Sequence, residues 1–169
     1  GTAPALDTNT ANVIRMRTFS KAYGMAGGRV GYAIGSADVI SGFHKVRNHF
    51  GMCRISQEGA LAALQDTAWL AHIQNEVDTA RQRIGAIAQA NGLTPLPSAA
   101  NFVTIDCGRD GAFARAVLAA LVADGIFVRM PFVAPQDRCI RVSCGTAPQL
   151  DAFEHALPGA LAKAHEKLG

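Results

Sequence analysis

The sequence contains no apolar run of membrane-spanning length, no internal repeat and no low-complexity tract. A helical membrane span, a solenoid and a disordered tail are therefore not expected. Charge is sparse: 17% of the 169 residues are charged, the formal net charge is +3, and the basic residues are scattered. That is not the footprint of a nucleic-acid-binding surface. The four cysteines, Cys53, Cys107, Cys139 and Cys144, form no Cys-x-x-Cys pair, and none lies near a histidine at ligand spacing. No metal site is expected, and the thiols read as reduced groups of a cytoplasmic protein. Neither Gly-x-Gly-x-x-Gly nor a Walker lysine spacing occurs, which removes the common nucleotide-binding loops. The serines, histidines and aspartates suggest no catalytic triad, and Gly1-Thr2-Ala3-Pro4 is not read as a signal peptide.

What is present is hydrophobic content of 49%, enough for a sizeable core in one domain or in parts of two. One stretch stands out, Arg17-Thr18-Phe19-Ser20-Lys21-Ala22-Tyr23-Gly24-Met25-Ala26-Gly27-Gly28-Arg29. A lysine follows two hydroxyl residues, a glycine-rich turn comes next, and an arginine closes it. Short strand-like runs flank it, Val13 to Thr18 and Val30 to Ile34. A guanidinium binds phosphate oxygens in a bidentate way, and the hydroxyls of Thr18 and Ser20 can donate to others. An amine that reacts with a carbonyl must be unprotonated part of the time, which calls for burial or a nearby positive charge. The loop thus reads as a phosphate site with one amine set against it. A Ser-Lys pair alone would be an ordinary surface turn; the whole string in one place is what raises it above that.

The chain order predicts an α/β organisation. Val13 to Thr18 is expected as a buried strand of a mostly parallel sheet. A helix capped by Ser36 carries Val39, Ile40, Phe43, Val46 and Phe50 on one face and ends at Gly51. Ser56 is expected to cap a short helix over Gln57 to Leu64. A longer one starts at Asp66 or Thr67 and carries Trp69, Ile73, Val77, Ala80, Ile84 and Ile87 in a stripe. It ends at Gly92 and is about 35 Å long, enough to run between two domains. Thr94 to Ser98 reads as a turn-rich boundary. Beyond it come a strand over Asn101 to Cys107, a helix from Asp110 to Gly125, strands over Ile126 to Met130 and Cys139 to Cys144, and a last helix. That helix opens on the capping box Thr146-Ala147-Pro148-Gln149, and Pro158-Gly159 is expected to kink or break it.

The string Thr18 to Tyr32 resembles the lysine signature of pyridoxal-phosphate-dependent aminotransferases of fold type I, most closely the histidinol-phosphate aminotransferase subfamily. Three further segments are similar to that subfamily in the same order: Ser98 to Val103, Gly125 to Arg129 and Cys139 to Thr146. The resemblance implies pyridoxal 5'-phosphate as cofactor and transamination between an L-amino acid and a 2-oxo acid as the activity. It implies Lys21 as the Schiff-base lysine and proton carrier, with Thr18, Ser20 and Arg29 on the cofactor phosphate. Arg141 is implied on the substrate carboxylate, Arg129 on a substrate phosphate, and Asn101 on the substrate side. It also implies a homodimer when the chain is complete, with no nucleic-acid or membrane partner. Without it, Arg141 on an alternating strand would read as a solvent-facing arginine and Asn101 as a local cap. Decarboxylases and ligand-sensing regulator domains share the fold and stay open as alternatives.

Two departures from the family pattern are visible. The family's aspartate at the pyridine nitrogen, its cofactor-binding tyrosine and asparagine, and most of its large sheet lie further upstream of the lysine than the twenty residues present here. Gly28 also stands where an apolar residue commonly precedes the arginine. The expectation is the C-terminal part of a longer enzyme, inactive by itself: residues 1–65 from the large domain, 66–92 an interdomain helix, and 93–169 a small α+β domain.

Overall fold

The computed structural model describes Asp7, Thr8 and residues 10–169. The chain forms two compact units, one ending at Gln74 and the other running Asn75–Gly169.

In the first unit, β1 (Arg15–Thr18) and β2 (Gly31–Ile34) form an antiparallel pair, with Arg15 opposite Ile34 and Thr18 opposite Gly31. Val13 to Thr18 is expected as a buried strand of a mostly parallel sheet; β1 is instead mostly exposed, and its partner among the described residues is antiparallel. The connection between the strands holds only the short 3-10 turn Ala26–Gly28, and a parallel return needs a crossover element. The pairing continues one step further, where Phe19 N–H donates to Val30 O at 3.3 Å and closes the neck of the loop.

Helix α1 (Ala37–Val46) begins after Ser36 as expected, but it stops at Val46 rather than Gly51. The Asn48 side chain accepts from Phe50 N–H at 3.0 Å and its carbonyl from Gly51 N–H at 3.2 Å. That turn competes with the helix for the same backbone groups, and Phe50 is left 95% exposed. Helix α2 (Arg54–Gln65) is capped by Cys53, so Ser56 lies inside it and not at its start. The Asp66 carboxylate accepts from Trp69 N–H at 2.9 Å and opens α3 (Thr67–Ala90). The division between the two units falls within α3. Of the predicted stripe only Ala80, Ile84 and Ile87 are buried, joined by Ala88, while Trp69 is half exposed.

The second unit has one continuous core. Strands β3 (Thr94–Pro95), β4 (Phe102–Asp106) and β5 (Cys139–Ser143) form an antiparallel sheet in that order. Thr94-Pro95 is therefore an edge strand and not only a turn. Val103 stands opposite Val142 and Ile105 opposite Ile140, and all four are buried. They share a core with Phe113, Val117 and Leu121 of α4 (Gly111–Ala123) and with Leu150, Phe153 and Leu157 of α5 (Ala147–Leu168). Asp110 accepts from Phe113 N–H at 2.9 Å, and Gly92 and Gly125 adopt the left-handed conformation expected of helix ends.

Two expectations are corrected in this unit. Ile126 to Met130 does not form a strand; among the described residues its one bridge to the sheet is the pairing of Arg129 with Arg141, while Val128 and Met130 are buried in the shared core. Pro158 does not break α5, which runs unbroken to Leu168. Phe153, Leu157, Ala160 and Ala164 bury one stripe across the proline, and that packing outweighs the hydrogen bond the ring removes. The capping box at Thr146 and Gln149 is present as predicted.

Candidate active site

The lysine loop is built around a plug. Phe19 is 2% exposed and stacks against Tyr23 and Tyr32 at ring separations of 4.9 and 5.7 Å. With Val30 and Ala60 it makes the small core of this unit, and Met25 and Ala63 lean on it. Because Phe19 turns inward, its neighbours turn out: Thr18 and Lys21 are exposed and Ser20 is partly so. Burial, one of the two conditions set for a reactive amine, is not met at Lys21. The Thr18 hydroxyl oxygen accepts from Ser20 N–H at 3.0 Å, which leaves its own proton to donate outward. Gly24, at φ +68°, supplies the sharp turn after the lysine. Arg29 is also left-handed, at φ +49°, and its guanidinium donates to Ala26 O at 2.9 Å. No carboxylate occurs between Asp7 and Asp38, whereas Arg15, Arg17, Lys21 and Arg29 all fall there. A loop of hydroxyls, amides and cations without acids suits a dianion.

In the second unit, Arg141 faces away from the core set by Ile140 and Val142, as strand alternation requires. It pairs with Thr104 on one side and with Arg129 on the other. Arg129 and Arg141 exchange both backbone hydrogen bonds, at 3.1 and 2.6 Å. Directly opposed residues send their side chains to the same face, so the pairing brings the two guanidiniums together. The Arg141 guanidinium lies 4.7 Å above the Phe102 ring and that of Arg129 lies 5.9 Å from the Phe127 ring. Neither has a carboxylate partner among the described residues. Both line an open cleft of ≈ 750 Å³ with Arg115, Phe127, Pro131 and Phe132. Asn101 is exposed just before β4, where its carbonyl accepts from Cys144 N–H, and it does not line this cleft. The local capping once possible for Asn101 is performed by Ser98, which accepts from Ala100 N–H and donates to Phe102 O.

The structure therefore groups Thr18, Ser20, Lys21 and Arg29 in one unit and Arg129 with Arg141 in the other. Sequence reasoning missed Phe19 as the plug, Phe102 beneath Arg141, and Arg115 in the cleft. The aromatic residues carried a detectable signal, since each sits beside a singled-out polar residue. Arg115 carried none, because α4 brings it there from elsewhere in the chain.

The family model described as aminotransferase class I and II matches residues 2–157. The chain belongs to that family. The resemblance read from Thr18 to Tyr32 is borne out, as is the fold class, the C-terminal portion of a fold type I aminotransferase. A histidinol-phosphate aminotransferase of Sinorhizobium meliloti, crystallised in complex with pyridoxal-5'-phosphate, superposes with a TM-score of 0.87. It is 50% identical, over 91% of this chain and 42% of that one. The histidinol-phosphate aminotransferase of Moorella thermoacetica is 36% identical over 90% of this chain and 39% of its own length. An aromatic amino acid aminotransferase of Mycobacterium marinum is 39% identical over 80% of this chain and 39% of its own length. The chain thus spans about two-fifths of the length of the curated relatives it matches. No described helix of this aminotransferase chain is long and apolar enough to cross a membrane, and no cluster of metal-binding side chains occurs among the described residues.

Proposed function

We propose that the full-length protein is a pyridoxal-phosphate-dependent aminotransferase that moves an amino group between an L-amino acid and a 2-oxo acid. The observation that carries this reading is the lysine loop, rich in donors, free of acids and anchored by Phe19. Its donor set fits the cofactor's phosphate: Thr18 and Ser20 offer hydroxyls and Arg29 a guanidinium. When bound, the cofactor supplies an electron sink for the electron pair left on the substrate α-carbon. Lys21 Nζ would hold the cofactor between turnovers, and would take and return the proton at the substrate α-carbon. Arg141 receives the substrate carboxylate.

Arg129 on the same face as Arg141 favours a substrate with a second anionic group, and the exposed rings of Phe127 and Phe132 favour an aromatic or imidazole side chain. For Asn101, outside that cleft, a substrate-side role rests on the family resemblance alone. The names of the histidinol-phosphate and aromatic relatives point the same way. The reading includes a homodimer and a cytoplasmic location for the full-length protein.

Borohydride trapping of the full-length protein with pyridoxal phosphate, followed by peptide mapping, tests the site. A phosphopyridoxyl group on Lys21 is expected, and one on any other lysine overturns the assignment. A panel of amino donors, with histidinol phosphate and aromatic amino acids included, then decides the substrate. Release of carbon dioxide in place of a keto product would show decarboxylation.

A further inference from the structure

Among the described residues, Ser56 is the only buried polar side chain, at 8% exposure. It lies within α2, and its hydroxyl donates to the Gly28 carbonyl at 2.7 Å, across 28 residues of sequence. Cys53 Sγ lies 3.1 Å from the Ser56 hydroxyl oxygen. A serine hydroxyl has one proton. That proton goes to Gly28, so the thiol donates to Ser56 and fixes the hydroxyl's direction.

The peptide held in this way joins Gly28 to Arg29. In a trans peptide the carbonyl and the following N–H point in opposite directions. With the Gly28 carbonyl drawn onto α2, the Arg29 N–H is turned away from the helix. Arg29 itself is in the left-handed region, which a residue with a side chain occupies only when its surroundings hold it there. Gly28 does not provide that hold. Its own φ is not positive, and a Cβ there would meet only ordinary contacts at 3.6–3.7 Å.

Helix α2 is shaped to deliver the hydroxyl. Ser56, Gly59, Ala60 and Ala63 fall at i, i+3, i+4 and i+7 on one face. A Cβ at Gly59 would already press on the end of Met25 at 3.0 Å, and Ala60 and Ala63 touch the Phe19 plug cluster.

We propose that Ser56 is a positioning residue for phosphate binding: its hydrogen bond to Gly28 sets the Gly28–Arg29 peptide so that the Arg29 amide and guanidinium face the anion. This rests on the assignment of the loop to the phosphate of pyridoxal phosphate, and the test separates the two. Dissociation constants of pyridoxal phosphate and of phosphate-free pyridoxal are measured by equilibrium dialysis on the full-length wild type, S56A, S56T and S56C.

The wild type should bind pyridoxal phosphate well above pyridoxal. S56A should weaken pyridoxal phosphate about tenfold, the worth of one hydrogen bond, and leave pyridoxal within about twofold. S56T, which keeps the hydroxyl, should restore the wild-type preference. Should S56A fail to fold, S56C, with its weak donor, should show the same selective loss in part. Equal weakening of both ligands means that Ser56 only supports the fold, and unchanged affinities mean that the hydrogen bond is idle; either overturns the proposal. A wild type without preference for the phosphorylated ligand overturns the loop assignment, and the role of Ser56 with it.

Discussion

Arg29 combines a strained backbone with an exposed guanidinium, and the two can be separated by substitution. Left-handed geometry costs an L-residue roughly 1–2 kcal/mol, which glycine escapes. R29G is expected to raise the stability of the chain by up to about 1 kcal/mol, part of the relief being returned as unfolded-state entropy. In the full-length protein it should weaken pyridoxal phosphate while leaving pyridoxal unaffected. Thermal denaturation and ligand titration of one variant check both, and a loss of stability would show that the side-chain bond to Ala26 O outweighs the backbone strain.

The cysteines make a second contrast at this scale. The Cys53 thiol is exposed, at the start of α2. Cys107 is buried, and desolvation pushes it up to about 12. Iodoacetamide under native conditions should label Cys53 first and Cys107 last, as read by mass spectrometry of timed digests. The raised value at Cys107 also has a sign. The folded state keeps the proton that the unfolded chain releases above about pH 8.5, so stability is full below that pH and declines toward the folded value. Urea midpoints should fall above about pH 9, and C107V should flatten that decline.

Among the elements, α5 holds the clearest local conflict. The capping box at Thr146 starts the helix well, whereas Pro158 stands exposed in its interior and removes one backbone donor. The buried stripe from Phe153 to Ala164 keeps the helix whole. P158A should therefore stabilise the chain, by about 1 to 3 kcal/mol, measured from the denaturant midpoint at constant slope. No gain would mean that neighbouring groups already compensate the proline. The edge segment at Arg129 shows the reverse case. It has the composition of a strand, yet one pairing with Arg141 is all that forms, because Pro131 stops the ladder there.

For the whole molecule, the two units differ in what they bury. The second packs its sheet, α4, α5 and the latter half of α3 into one core. The first has a core of Phe19, Val30 and Ala60, and leaves Met16, Val46, Phe50 and Ile55 more than three-quarters exposed. Native-state hydrogen exchange on the 169-residue chain should therefore find the slowest amides in β4, β5 and α4, and faster exchange throughout β1, β2 and α1. Equal protection in both sets would contradict this ranking of their cores.

Much of this protein was decided locally and could be read from the chain. The lysine loop, the capping box at Thr146, the Asp110 cap, the helix end at Gly92 and the alternation that turns Arg141 outward all depend on neighbours within a few residues, and propensity and pattern act at that range. Tertiary structure decided what separated segments do to one another. The antiparallel return of β2, the survival of α5 across Pro158, the opposition of Arg129 and Arg141, and the hydroxyl of Ser56 on Gly28 each join residues whose order carries no mark of the contact. A hydrogen bond or a buried face exists only once its two halves meet in space, and for these pairs the fold alone brings them together.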